Sequence, residues 1–377
     1  MYIPKWVQVG DDIDGENALD ESGVAVALSS NGAVLAIGAY LNDGAGDQSG
    51  HVRVYTQSGG GGWAQRGSDL DGPGPRSSSG WAVAMSADGT IVAVGAVSAS
   101  QVNVFIWNGS AWEGMGQTIF GDGVGDGFGV SVALSDDGSI MTAGAFRRSS
   151  GQAGHVRVFA WTGADWNQRG NNLVGFPSSD AFGHRVSLSS DGSIVASGAQ
   201  GERNSVGYVR IFQWSGSSWL EQAQTLRGPD SFFGSTVSLS GDGRMLAVGA
   251  QSRSYVMMFR NDGTGWFQIG STIHGAAARD LFGISVSLSH DGETVVIGGN
   301  KNDSNGVDSG HALVYRLLAP NRDEWIRVGQ ELVGEAANDN FGRSAAISDN
   351  GNRIAIGAQW NSGNGVVAGH VRVYDLQ

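Results

Sequence analysis

Cysteine is absent from this chain, proline occurs 6 times, and lysine appears only as Lys5 and Lys301. Without cysteine there is no disulfide framework, no thiol chemistry and no cysteine–zinc site. So few lysines make no polybasic patch for a membrane surface. No apolar run approaches the ~18 residues of a membrane-spanning helix. The opening Met1-Tyr2-Ile3-Pro4-Lys5 holds no apolar signal segment. A repeat is entered within a few residues, so flanking segments of a longer gene product are expected. Positive charge is short overall. Lys and Arg number 23 against 36 Asp and Glu, a formal net charge of −13, which argues against nucleic acid as a partner.

Glycine, by contrast, supplies 62 of the 377 residues, against a usual share of about 7%. It has no period of three, so collagen is excluded. An apolar fraction of 40% with 12 Trp and 14 Phe is too hydrophobic for a disordered chain. The glycines therefore belong to turns in something packed.

The packing unit is a repeat. A Trp opens a short polar strand pattern at Trp6, Trp63, Trp112, Trp166, Trp219, Trp266 and Trp325, at intervals of roughly fifty residues. Four segments recur in each unit. The first resembles Val186-Ser187-Leu188-Ser189 and ends in a tight Asp191-Gly192 turn. The second is apolar and ends in Gly-Ala, as from Ile194 to Ala199. The third reads like His51-Val52-Arg53-Val54-Tyr55 and the fourth like Trp166-Asn167-Gln168-Arg169-Gly170. All are short, β-branched or aromatic, and bounded by Gly, Asn or Asp, which is strand patterning. The expected fold is all-β: one seven-bladed β-propeller of four-stranded antiparallel blades, in which radial closure protects the sheet edges. The blades are expected at about 16–72, 73–121, 122–175, 176–228, 229–275, 276–334 and 335–377 plus 1–15. The chain starts with a fourth-type strand and ends with a third-type one, so the N-terminus is expected to complete the last blade.

A Ser precedes each first hairpin turn, at Ser29, Ser86, Ser135, Ser189, Ser240, Ser289 and Ser348, two residues before an Asp-Gly or Asn-Gly pair. This is turn chemistry; a nucleophile would not need seven copies. His51, His155, His311 and His370 open third strands, as bonds to a neighbour or as metal ligands. Blade four has Tyr208 in that place; Arg53, Arg157, Arg210 and Arg372 stand two residues after His51, His155, Tyr208 and His370 and are expected to bridge blades through acidic or carbonyl groups. The opening Trp residues are expected at blade edges.

These units resemble the FG-GAP repeat of integrin-α-like β-propellers. The Phe-Gly stands at Phe128-Gly129, Phe182-Gly183, Phe233-Gly234, Phe282-Gly283 and Phe341-Gly342, reduced to Ser22-Gly23 and Ser79-Gly80 in the first two units. The Gly-Ala stands in six units, from Gly38-Ala39 to Gly357-Ala358, and becomes Gly298-Gly299 in the sixth. The closest likeness is to a subgroup with Trp-x-Gln-x-Gly and Gly-His-Val-Arg-Val-Tyr strands. Integrin-like propellers often carry calcium in a hairpin with Asp-x-Asp-x-Asp-Gly spacing. Here that hairpin is Ser-x-Asp-Gly and supplies too few oxygens, so those sites are not carried over. The resemblance implies a cell-surface or extracellular binding or adhesion module with a protein or glycan partner.

Length variation is concentrated in the second-to-third-strand loops, which makes that face the functional candidate. Its candidate ligand-binding residues are Asn42, Asp43, Asp47, Arg147, Arg148, Glu202, Arg203, Asn302, Asp303, Asp308 and Trp360. Asp43 with Asp47, and Asp303 with Asp308, either hold calcium or belong to solvated acidic loops; no other cofactor is expected. Asp126, Asp180, Asp230, Asp280 and Asp339 precede the Phe-Gly positions. They form either an acidic ring near the axis, fit for a cation or a basic ligand group, or caps on the inter-blade turns. Repeated carboxylates in place of a singular acid/base pair argue against an enzyme, so catalysis is not expected. A lectin-like module reading polysaccharide is the alternative. No Trp-Asp dipeptide ends the third strands, which argues against a WD-repeat propeller. Asn108-Gly109-Ser110 and Asn302-Asp303-Ser304 match the glycosylation sequon.

Overall fold

The computed structural model describes residues 4–123, 125–146, 153–176, 181–201, 206–222, 224–230, 232–318 and 323–377. Seven antiparallel sheets follow one another around an axis; six have their strands in sequence order from the axis outward, and the seventh takes its outer strand from the N-terminus. Blade one runs Ala25–Leu28, Val34–Ala39, His51–Gln57 and an outer strand. The outer strand comes in two pieces, Trp63–Gln65 and Leu70–Asp71, both paired to the third strand. The break is built from the Trp-x-Gln-x-Gly motif. Gly67 takes a φ of 81°, a conformation costly for other residues. The Gln65 amide clips the kink by donating to the Gly67 carbonyl and to Asp69. Gln8 and Gln168 repeat the clip onto Asp12 and Asn172.

Ring closure is as the termini suggest. In blade seven Trp6–Gln8 pairs with the last strand, His370–Leu376, and Ile13–Asp14 pairs with its other end. Trp6 is buried and its indole N–H donates to the Val328 carbonyl of blade six. The opening Trp residues are inter-blade edges: Trp63, Trp112, Trp166 and Trp219 each donate to a backbone carbonyl of the preceding blade. The third-strand arginines do likewise. Arg53, Arg157, Arg210 and Arg372 reach the carbonyls of Asp14, Phe120, Val174 and Val333.

The Phe and the two glycines of the repeat each have a steric reason. Phe128, Phe182, Phe233, Phe282 and Phe341 are fully buried. The glycine after each takes a positive φ, and its carbonyl lies against the Gly of the preceding blade's Gly-Ala. A Cβ on Gly38, Gly95, Gly144, Gly198, Gly249, Gly298 or Gly357 would come under 3.0 Å from that carbonyl, which Gly80 and Gly23 supply for Gly38 and Gly357. Blades therefore meet backbone to backbone at seven junctions.

On the hairpin face each Ser-x-Asp-Gly turn is closed from within. Ser189 Oγ donates to Asp191 at 2.7 Å and accepts the Ile194 N–H at 2.9 Å. Residue x of each turn then bonds its counterpart in the next blade. The N–H groups of Ser30, Ala87, Asp136, Ser190, Gly241, His290 and Asp349 donate in succession to the carbonyls of Ala87, Asp136, Ser190, Gly241, His290, Asp349 and Ser30. The cycle closes on itself and ties all seven blades around the axis.

Candidate ligand-binding site at the axis

The inner strands surround an axial cavity of about 160 Å³. Its walls come from the residues just after each Phe-Gly position. Two places after the Gly the side chain is small in six blades: Ala25, Ala82, Ser131, Thr236, Ser285 and Ser344. The hydroxyls of Thr236, Ser285 and Ser344 donate to the Gly283, Gly342 and Gly23 carbonyls of the adjoining blade. In blade four this place is Arg185. One place after the Gly, Val24, Val130 and Ile284 alternate with Trp81, His184, Ser235 and Arg343. The repeat is broken here by large polar and aromatic side chains.

Arg185 and Arg343 both line the cavity and are half-buried. Among the described residues, Arg185 has one side-chain bond, to the His184 carbonyl at 3.1 Å. Burial, and then the neighbouring Arg343, push its guanidinium down to about 10. Arg343 is also lowered by burial, and Tyr40 and Glu21 offset this only through space. His184 sits beside them with its Nδ1 buried and without a partner among the described residues. Burial and the two guanidiniums push it down to about 3, so it is neutral at physiological pH. Positive charge is thus concentrated, and short of counter-charge, at the centre of a chain whose net charge is −13.

The mouth above this throat, on the long-loop face, is aromatic. Tyr40 meets Trp81 edge-on at 4.8 Å, and Phe146 meets His184 at 5.7 Å. Tyr40 donates its hydroxyl to Glu21 at 3.1 Å. Burial raises Glu21, while bonds from Tyr40 and Trp360 and the charge of Arg343 pull it back. Burial and Glu21 push the Tyr40 phenol up to about 12. Trp360 lies under the Lys301 ammonium at 4.5 Å. Of the candidate ligand residues that lie among the described ones, Trp360 alone is brought to this mouth.

The other candidates are spent locally. Asn42 is buried, donates to Asp20 and accepts from Gly44, and Asn302 repeats this with Asp280 and Ser304. Asp43 and Asp303 accept the N–H groups of Gln48 and Asp308 within their own loops. Asp47 pairs with Arg76 at 3.3 Å and Asp308 with Lys301 at 2.9 Å. Asp126, Asp280 and Asp339 turn their carboxylates into their own inter-blade links: Asp126 accepts from Asp122 and Phe128, Asp280 from Ala277, and Asp339 from Glu335 and Ala336. Asp230 accepts from the Tyr255 hydroxyl. None of these four lines the cavity; the charges that do are Arg185 and Arg343. Arg147, Arg148, Asp180, Glu202 and Arg203 lie outside the described residues.

Sequence reasoning passed over Arg185, Arg343, His184 and Trp81 because it followed what repeats. The signal was available as its converse: a charged or bulky residue in an inner-strand register that is small or aliphatic in sister blades.

Residues 272–315 match the model of the FG-GAP repeat. With seven blades of this design around one axis, the chain is an FG-GAP-like β-propeller. None of the curated proteins matches it. Among solved structures, the β-propeller domain of Cps50 (Swd1) from Myceliophteria thermophila is 13% identical with a TM-score of 0.64, over 100% of this chain and 99% of that one. Hydrazine synthase of Kuenenia stuttgartiensis is 12% identical with a TM-score of 0.60, over 93% and 94%. The periplasmic gluconolactonase PpgL of Pseudomonas aeruginosa is 18% identical with a TM-score of 0.59, over 83% and 86%. At such identities the likeness is one of fold alone. It nevertheless corrects one expectation. Enzymes are built on this fold, so a repeated carboxylate pattern does not exclude catalysis, and the exclusion drawn from sequence does not stand.

Proposed function

We propose that this FG-GAP-like β-propeller is a binding and adhesion module of a cell surface, whose long-loop face draws an anionic group of its ligand into the axial throat. The observation that carries the reading is the Arg185–Arg343 pair: two half-buried guanidiniums with no carboxylate in ion-pair reach among the described residues. Holding like charges together away from water is costly, and an incoming anion relieves that cost. Guanidinium is the group suited to planar, bidentate oxyanion recognition. A cavity of about 160 Å³ has room for a handful of waters at about 30 Å³ each. It admits a carboxylate or a group of that size, while the rest of the ligand lies on the rim of Tyr40, Trp81 and Trp360. Such a rim also suits sugar stacking, which supports the lectin-like alternative with an acidic polysaccharide as ligand.

The test is an array of acidic and neutral oligosaccharides beside aspartate-rich and neutral peptides. Saturable binding confined to acidic members is expected, weakened at least tenfold by Arg343→Gln and by Arg185→Gln. Whether sugars or peptides bind separates the two readings. Binding that ignores both substitutions, or prefers neutral members, would overturn the axial site.

A further inference from the structure

Away from the axis, two side-chain clusters repeat one design. In blade one, Nδ1 of His51 lies 3.4 Å from Asp69, and Glu16 reaches in from the link entering the blade. In blade seven, Nδ1 of His370 lies 3.3 Å from Asp12, and Glu335 reaches in from the corresponding link. In each cluster one imidazole nitrogen and two carboxylate oxygens lie within 4.8 Å of one another. The positions correspond: Asp12 stands to Trp6 as Asp69 stands to Trp63, and Glu16 to Trp6 as Glu335 to Trp325.

The histidines are 1% exposed. Among the described residues, neither ring nitrogen of His51 nor Nε2 of His370 has a partner that meets hydrogen-bond geometry. A buried imidazole with one nitrogen only loosely held by a carboxylate at 3.3–3.4 Å and the other unpartnered is incompletely satisfied as a structural group and well placed as a metal ligand. The sister blades serve as controls. Blade three keeps His155 near Asp122 at 3.6 Å but has Asn172 where Asp69 stands. Blade six pairs His311 with Glu331 at 2.5 Å but has Ala276 at the link position. The complete set of three occurs in two adjoining blades, on either side of the ring's closure.

We propose that His51–Asp69–Glu16 and His370–Asp12–Glu335 are two equivalent sites for a divalent cation of the zinc class, and that the cations fasten the closing N-terminal segment. One nitrogen and two carboxylate ligands suit zinc better than calcium, which takes oxygen ligands in larger number. Glu16 and Glu335 are exposed and free to close in by the ångström or so that coordination needs. Arg53 and Arg372 stand 3.5 and 3.6 Å from them while anchored to the Asp14 and Val333 carbonyls. Each can hold one glutamate oxygen and leave the other for the metal, as an outer support. Asp12 and Glu16 flank Ile13–Asp14, the strand that pairs with His370 and Val371. One short stretch thus supplies a ligand to the blade on each side, and metal at both sites clamps it between the first and last blades.

The full chain, stripped with chelator and titrated with zinc chloride by calorimetry, should bind two equivalents, with melting temperature rising by several degrees. Glu16→Gln and Glu335→Gln, both at exposed positions, should each remove one equivalent and leave the melting temperature of the metal-free protein within about a degree. The double variant should lose the zinc-dependent rise altogether. A stoichiometry unchanged by these substitutions, or a melting temperature indifferent to zinc, would overturn the proposal. So would a larger response to calcium than to zinc.

Discussion

The two ends of the axis are built by opposite rules. On the hairpin face seven Ser-x-Asp-Gly turns are near copies, and their residues x pass one hydrogen bond around a closed ring. On the long-loop face the corresponding inner-strand positions differ from blade to blade, and the differences are Trp81, His184, Arg185 and Arg343. Repetition marks what every blade needs in order to stack. Singularity marks what the whole ring needs only once, as a single ligand site at a single axis does. The comparison predicts that substitutions in the repeated features cost stability wherever they are made, whereas substitutions at the mouth cost binding.

The largest effect should come from opening the ring. Deleting residues 1–15 removes the outer strand of blade seven and the buried Trp6 and Ile13. The loss should be several kcal/mol, since removing one buried Trp side chain alone costs about 3–5 kcal/mol. A truncated protein that melts at the parent temperature would mean that closure does not depend on this strand. Next in size is a single methyl group. Gly144→Ala drives a Cβ into the Gly183 carbonyl, whereas Gly114→Ala meets nothing within 4 Å. The first should cost about 3 kcal/mol or more, because backbone cannot rotate away as a side chain does. The second should be nearly neutral, and equal melting temperatures for the two would break the junction argument.

A smaller effect separates the two faces directly. Ser189→Ala deletes one bond to Asp191 and leaves the Ile194 N–H without its partner, at about 1–2 kcal/mol. Ser135→Ala in the neighbouring blade should cost the same, since Asp137 and Ile140 stand in the same relation to it. Arg343→Gln in the axial throat removes a charge with no counter-charge in contact among the described residues, so thermal stability should hold or rise slightly while anion binding falls. A large drop in melting temperature for Arg343→Gln would make it a structural residue and sharpen the comparison in the other direction.

This contrast also explains how far the sequence could be read. The blades, their order and the closure at Trp6 were legible because turns and Gly–Gly junctions impose fixed spacings. The division of the outer strand at Gly67 was not, because a two-residue strand such as Leu70–Asp71 leaves no periodicity to detect. The acidic residues Asp126, Asp280 and Asp339 stood out by spacing, yet that spacing is met by caps on their own inter-blade links. The Arg185–Arg343 pair left no spacing at all. The two side chains come from blades four and seven and converge only once the ring is closed. The His–Asp–Glu clusters lie in between: their histidines were visible as a repeat, but each needs a carboxylate from the preceding link.

The finest test sets two acids of the hairpin face against each other. Asp191 belongs to the repeat. Burial raises its carboxyl, but the Ser189 and Ser193 hydroxyls and the Ser193 N–H outweigh this and hold it below the ordinary carboxylate range. Asp349 lies outside the turn motif: it is the residue x of blade seven, a position held by Ser, Ala, Gly or His in five sister blades and by Asp136 in blade three. Burial raises it, and Asp136 and Asp291 add to the rise against the opposing pull of His290. Asp191, lowered by folding, contributes stability that is present above about pH 4, the unfolded carboxylate value, and is lost as pH falls through its own lower value. Asp349, raised by folding, costs stability at neutral pH, and the cost is relieved as pH falls through its raised value. Asp349→Asn should therefore raise the melting temperature at pH 7 by about a degree, with the gain shrinking on acidification. Asp191→Asn should lower it by a similar amount, with Asn31 and Asn350 showing that the turn accepts an amide. Melting curves from pH 3 to pH 7 decide it. If both variants shift the same way at neutral pH, the distinction between acids inside the turn motif and acids at residue x fails.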